Sequence, residues 1–344
     1  MLHLRTEQIM TYSAPGSDRI VTVFGGSGFV GRQLVRALAR RGWRIRVASR
    51  RPDLAFHLQP SGRVGQIHAI QANLRYPASV AAAVRGSDAV VNLVGILTPS
   101  GRQRFDAVHA FGARLVARAA AEAGVTSMVH MSAIGADAES PSEYSRSKAQ
   151  GEQGVREFFP DARIARASVI FGPDDDFFNR FATIARVSPA LPLIGGGETR
   201  LQPVFVGDVA EAICRMLDGE AAPGAIYEFG GPEVKSLRDI MAYVCDVIGR
   251  KRLLVPMPFA AARWMALGTE IASNLSLGMF PSEFLTTRDQ IELLKIDNVV
   301  SQAANAEKRT LEGLAITPDS IEAIVPSYLY RFRKTGQFEA NRLA

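Results

Sequence analysis

Ser132, Tyr144 and Lys148 have the types and spacing to move a proton at an alcohol or a carbonyl. Tyr144 and Lys148 stand four apart, so a helix presents both on one face. An ammonium beside a phenol favours phenolate, which predicts a Tyr144 pKa below the usual ~10. Such a tyrosine exchanges a proton near neutral pH. Ser132 lies at the end of an apolar run and is placed to hydrogen-bond the same oxygen. A Tyr-x-x-x-Lys spacing alone is common in helices. Its weight comes from a second constellation, Gly25, Gly28 and Gly31, spaced three apart after the β-branched run Ile20–Phe24.

That second stretch reads as a strand feeding a helix through glycines. Val30, Leu34, Val35 and Leu38 fall on one helical face, and Arg32, Arg36 and Arg40 on another. Gly25 permits a tight turn, Gly28 lets a pyrophosphate approach the backbone, and Gly31 lets helix and strand lie close. Ser27 and Phe29 sit between them at the helix N-terminus, where free N–H groups face an anion.

The pattern after Arg19 alternates. Strands are expected at 20–24, 44–48, 66–71, 88–93, 126–131 and 162–168, and helices at 29–41, 77–85, 103–123 and 145–158. Alternation of this kind implies an α/β fold, a doubly wound parallel (Rossmann) sheet, with ligands beyond the C-terminal strand ends. At the end of the second strand an acid usually holds a free ribose 2′-hydroxyl. Here the chain has Ser49, Arg50 and Arg51. Guanidinium groups match a phosphate, so NADP(H) is favoured over NAD(H). Nearby Asp53 follows Pro52 and reads as a helix-start residue. Asn73, after the third strand, either bonds an adenine edge or begins a turn. Leu93, Val94 and Gly95, after the fourth, form a small-residue turn under the ribose and nicotinamide.

The chain has 344 residues, 47% hydrophobic and 22% charged, with net charge +6. These values fit a globular protein with two lobes or one large α/β domain. The scattered arginines suggest anionic ligands or an acidic membrane surface. No basic run is interleaved with aromatics, which argues against nucleic acid. Cys214 and Cys245 suit a reducing compartment, and His3, His57, His68, His109 and His130 have no metal-ligand spacing. Residues 1–18 read as a polar tail without a signal-peptide core. The expected division is 1–18 tail, 19–173 dinucleotide domain, and 174–344 a smaller α-rich lobe for substrate or partner.

In that lobe Asp174, Asp175 and Asp176 read as a loop before a helix N-terminus. Gly195, Gly196 and Gly197 read as a loop able to close over a site. The apolar stretch 255–280 includes Trp264, Met265, Ile271 and Phe280 and is broken by Arg263, Glu270 and prolines. It does not span a bilayer cleanly. Exposed, it would meet a membrane surface or a partner; buried, it would be core or a lid.

Residues 19–172 resemble the short-chain dehydrogenase/reductase superfamily in its extended or atypical branch. The matching residues are Gly25, Gly28, Gly31, Asn73, the 92–95 turn, Ser132, Tyr144 and Lys148. The segments Arg166–Pro173 and Val204–Ala210 also match, with Asp208 expected to cap a helix. The resemblance implies catalytic roles for Tyr144 and Lys148, with Ser132 orienting a carbonyl. A narrower resemblance covers nearly the whole chain, through Val23–Phe29, Gly65–Tyr76, Asn92–Ile96, Phe177–Phe181, Gln202–Asp208, Asp297–Val300 and Pro326–Phe338. These segments are similar to the NADPH-binding, dehydrogenase-like accessory subunits of respiratory complex I (NADH:ubiquinone oxidoreductase), in a bacterial form. That likeness implies a structural nucleotide, complex I subunits as partners, and a peripheral position on the cytoplasmic face of the inner membrane. The extended branch often has Asn where His109 stands, and an imidazole there is able to substitute in a proton relay. The alternative implied by an intact Ser–Tyr–Lys set is an NADP-dependent oxidoreductase or epimerase acting on an apolar carbonyl compound.

Overall fold

A computed structural model describes residues 19–99, 101, 103–275, 285–334 and 336. The expected tail at 1–18, residues 276–280 of the apolar stretch and the end of the C-terminal motif, including Phe338, lie outside the described residues.

Six strands run in chain order through the first half: β1 (Ile20–Phe24), β2 (Arg44–Ser49), β3 (Ile67–Gln71), β4 (Ala89–Asn92), β5 (Ser127–Ala133) and β6 (Arg163–Ala167). With the strand Ile226–Phe229 they form one seven-stranded sheet, ordered Ile226–Phe229, β6, β5, β4, β1, β2, β3. Every pairing in it is parallel. The order reverses between β1 and β4, where ligands of such sheets bind. Side chains alternate across the sheet as strand geometry requires. Val21 and Val23 enter a core with Leu34, Leu38 and Ile213; Phe24 enters another with Val80, Val116 and Met128.

Helix α1 (Phe29–Arg40) lies on the first face beside α6 (Val206–Leu217). Helices α2 (Pro77–Val84), α3 (Gly112–Glu122) and α4 (Glu143–Phe158) cover the second. The expected division at residue 173 follows chain order; in space the α/β layer also takes in α6 and the strand Ile226–Phe229. The single helix expected at 103–123 is instead a π-helical turn, Asp106–Phe111, leading into α3. Close packing accompanies that change. A Cβ on Gly151 of α4 would stand 2.4 Å from the His109 carbonyl oxygen, so helix and turn touch backbone to backbone.

The C-terminal lobe contains α5 (Phe178–Val187), α7 (Leu237–Val247), α8 (Phe259–Leu275) and α9 (Arg288–Leu293). Its strands Ala190–Ile194 and Leu253–Met257 pair in parallel. The apolar stretch is neither wholly core nor wholly surface. Ala262 and Ala266 of α8 are fully buried, while Trp264 is 75% and Ile271 50% exposed. The glycine loop is tied down at two points. Arg238 Nη2 donates to the Gly196 carbonyl at 2.8 Å, and Gly195 abuts the Phe259 ring. Asp175 carries out the helix-start role expected of its triplet. It accepts N–H bonds from Phe177 and Asn179 and a hydroxyl bond from Tyr328 at 2.7 Å. Asp208 does not cap its own helix; it accepts the backbone N–H of Asp319 at 2.8 Å. Among the described residues no helix is long and apolar enough to cross a membrane.

Gly31 is the residue on which α1 is seated. A Cβ there would lie 2.3 Å from the Gly25 carbonyl oxygen, which is backbone and cannot rotate away. Gly31→Ala is expected to destabilise the fold by about 1–3 kcal/mol. Urea denaturation with an unchanged m-value and a lower midpoint is the check.

Candidate functional site

The site is built where the turn after β1 meets the end of β4. Gly25 sits at φ +79°, and a Cβ on it would press to 3.1 Å from the Leu93 carbonyl carbon. Gly28 is the N-cap of α1, with neither a capping side chain nor an acid in the first turn. The first helical bond is Arg32 N–H to the Gly28 carbonyl. The N–H groups of Phe29, Val30 and Gly31 precede it and point outward with the positive end of the helix. Ser27 and Gly28 are accessible at that mouth. An uncapped helix start of this kind favours an anion.

Ser49, Arg50 and Arg51 lie at the end of β2, next to β1 in the sheet. The Arg51 guanidinium pairs with Asp53 at 2.9 Å and holds that carboxyl below its ordinary range. Arg50 is exposed and makes no hydrogen bond or ion pair among the described residues. Asn73 takes the turn option: its Oδ1 accepts the Arg75 N–H at 3.1 Å. Its side-chain nitrogen makes no hydrogen bond among the described residues.

Tyr144 and Lys148 are brought together on α4 under the β4 turn. The Lys148 ammonium lies 5.8 Å from the Tyr144 ring centre, and a Cβ on Gly95 would be 3.3 Å from Nζ. The expected phenolate is not favoured. Burial, and then the charge of Asp289, push the Tyr144 phenol up to about 12, while burial brings Lys148 down to about 8. The ammonium instead donates to the Met131 carbonyl at 3.4 Å.

Ser132 is also turned aside. Its hydroxyl donates to Glu152 Oε1 at 2.5 Å. Glu152 is buried and is gripped by Arg166 through two bonds of 2.8 and 2.7 Å. Buried carboxylates need such partners. Sequence reading missed Glu152 and Arg166, yet Tyr144, Lys148 and Glu152 recur at four-residue steps on one helical face.

Both ring nitrogens of His109 are hydrogen-bonded within the protein. Its Nε2 accepts the Ile96 N–H at 3.0 Å. The Ser147 hydroxyl donates to the Tyr144 carbonyl, so Nδ1–H must donate to Ser147 at 2.9 Å. His130 is held by the Asn92 amide at 3.2 Å, and its Nε2 is buried without a partner among the described residues. Burial first, then the neighbouring Lys148 cation, lowers both imidazoles to about 3. Among the described residues no group of three or more His, Cys, Asp or Glu is placed to hold a metal ion.

Residues 21–230 match the NAD dependent epimerase/dehydratase family. The chain belongs to that dinucleotide-binding family. It is also 33% identical, over 323 residues, to "NADH dehydrogenase [ubiquinone] 1 alpha subcomplex subunit 9, mitochondrial" of Arabidopsis thaliana, covering 93% of this chain and 79% of the relative. A "Ceramide reductase" of Caulobacter vibrioides is 30% identical over 84% of this chain and 88% of its own length. Among solved structures, Citrobacter triphenylmethane reductase complexed with NADP(H) superposes with TM-score 0.67 at 16% identity, covering 90% of this chain and 99% of that one. The last likeness establishes the fold.

The two neutral imidazoles make the fold acid-sensitive. Unfolded His takes a proton near 6.5, the native rings only near 3, so the unfolded chain binds more protons between those values. Stability is full above pH 6.5 and falls as pH drops through that window. Each ring accounts for about 2 kcal/mol between pH 8 and pH 5. In denaturant titrations at both pH values, His130→Asn is expected to shrink the loss by about that amount.

Proposed function

We propose that this chain is an NADP(H)-binding accessory subunit of respiratory complex I, in which the nucleotide serves mainly to stabilise the fold. One observation of the site carries the reading: two groups of the expected proton relay, Ser132 and His109, are already bonded within the protein. Ser132 is committed to Glu152, and both nitrogens of His109 are engaged. The phosphate cradle at Gly25, Ser27, Gly28, Phe29 and Gly31 is by contrast open. The likeness to subunit 9, over 93% of this chain and 79% of the relative, supports complex I as the partner.

The residues fit the nucleotide. The uncapped α1 would take the pyrophosphate, and Ser49, Arg50 and Arg51 the ribose 2′-phosphate. Asn73 would lie by the adenine, and Leu93, Val94 and Gly95 by the ribose and nicotinamide, next to Tyr144 and Lys148. A bound nicotinamide nucleotide supplies hydride chemistry; the chain itself supplies only orientation and charge. A hundredfold excess over Kd adds about 2.7 kcal/mol to folding stability. The place proposed is peripheral, on the cytoplasmic face of the inner membrane, with the exposed Trp264 and Ile271 of α8 toward the membrane surface.

Charge reversal at Arg50 and Arg51 together is expected to weaken NADPH binding about tenfold or more while NADH binding changes less. Calorimetric titration of both nucleotides reads this, and equal affinity of the parent protein for the two would sink the NADP(H) assignment. On native gels of solubilised membranes the protein should migrate with complex I. Its consistent absence from that band would remove the accessory role.

The likeness to a ceramide reductase, with Tyr144 and Lys148 both present, favours a second reading as a reductase of an apolar carbonyl compound. Under it, Tyr144→Phe would abolish turnover and spare NADPH affinity. Under the accessory reading the same variant supports NADH-driven respiration as well as the parent does.

A further inference from the structure

Helix α9 begins beside α8 and is fixed to it. Arg288 binds Glu270 through its backbone N–H at 2.9 Å and its guanidinium at 3.0 Å. Thr287 and Gln290 close a capping box over the first turn of α9. Asp289 stands in that turn but spends its carboxylate elsewhere. Its Oδ1 accepts the Glu143 N–H at 2.7 Å; its Oδ2 accepts the Ser142 hydroxyl at 3.0 Å and the Tyr144 N–H at 3.3 Å. Ser142 at the same time caps its own helix by accepting the Ser145 N–H. The start of α4 is thus satisfied twice, once locally and once by a side chain 146 residues away. Orphan N–H groups at a helix start, and the dipole behind them, both favour an anion there.

We propose that Asp289 is a positioning residue: it joins the α8–α9 pair to the helix that carries Tyr144 and Lys148, and it sets the electrostatic field at the Tyr144 phenol. The proposal goes beyond complex I association and holds whichever nucleotide binds. Three kinds of group surround the phenol. Lys148, one turn along α4, is a cation and favours phenolate. His109 of the π-helical turn meets the Tyr144 ring edge-on at 5.4 Å and is neutral, as is the Phe105 ring at 5.8 Å. Asp289, from α9, is the anion. It acts in the same direction as burial, which is the larger of the two effects. A movement of α8 and α9 therefore reaches both the first turn of α4 and the proton affinity of Tyr144.

The test uses the full chain with 3-fluorotyrosine at position 144, titrated by fluorine NMR. Asp289→Asn keeps an oxygen for the Glu143 N–H and removes the charge. It should leave the melting temperature nearly unchanged and move the titration to lower pH by about one unit. Asp289→Ala should move the titration likewise, lower the melting temperature, and speed amide exchange at Glu143 and Tyr144. A titration in Asp289→Asn that superimposes on the parent overturns the electrostatic role. Exchange at Glu143 and Tyr144 that is equally slow in Asp289→Ala overturns the cap. Should the variants not fold, the parent decides: the two amides must be protected like those in the middle of α4, and exchange as fast as at an uncapped helix start overturns the proposal.

Discussion

Everything in this molecule follows from one backbone contact, that of Gly31 on the turn at Gly25 and Gly26. Only a residue without a Cβ lets the first turn of α1 settle onto its own entry loop. Once it settles, the helix points its unsatisfied N–H groups along the end of β1 and toward the turn after β4. Gly25 then meets Leu93 and Val94 at contact distance, so the two strand ends are locked side by side. The switch in strand order between β1 and β4 opens the crevice, and the glycines let the backbone line it. A helix N-terminus with neither a capping side chain nor an acid in the first turn is a standing anion site.

Beneath that cradle the chain buries charge and pairs nearly all of it. Glu152 is surrounded by Arg166 and Ser132, and Glu228 lies 3.9 Å from the same arginine. Removing one member would leave the others charged in a dry place, which costs more than the pairing contributes. Lys148 has no carboxylate of its own at hydrogen-bond distance among the described residues, and burial accordingly loosens its proton. Both adjacent histidines stay neutral because burial, and after it the Lys148 charge, disfavours a proton on either ring. The same economy explains the tyrosine. The Lys148 cation stands 5.8 Å from the ring centre, while burial and the Asp289 charge both disfavour a phenolate. Of the hydroxyls there, that of Ser132 is committed to Glu152, while the Tyr144 phenol makes no hydrogen bond among the described residues.

The first half of the fold is legible in the sequence because its strands are short apolar runs ending in small residues. Ile20–Phe24 and Gly25, Gly28 and Gly31 specify strand, turn and helix without reference to anything distant. Tyr144 and Lys148 are legible for the same reason, since a four-residue step is a local rule. What is not legible depends on partners far along the chain. The phenol's proton affinity is governed by burial and by a carboxylate at position 289, and no local pattern around Tyr144 announces either. Ser132 reads as a free hydroxyl until Arg166 fixes Glu152 beside it. The π-helical turn at Asp106–Phe111 arises where Gly151 of another helix touches His109, a contact that periodicity within 103–123 does not contain.

The C-terminal part joins the α/β layer through apolar packing, with Leu311, Leu314 and Ile316 in the core of β1 and α1, and is stitched to it by polar side chains. Asp289 closes the start of α4. Asn298 accepts the Ser168 hydroxyl at 2.6 Å and donates to the Ile134 carbonyl at 3.2 Å, which fixes the ends of β5 and β6. Glu228 on the edge strand accepts the Ser301 N–H at 2.7 Å. Each stitch lands at a strand end or helix start of the α/β layer, so the C-terminal lobe holds the elements that frame the site. Hydrogen bonds of this kind are directional, and their cost when broken is that of a stranded polar group. A lobe attached in this way transmits small displacements to the site without needing to cover it.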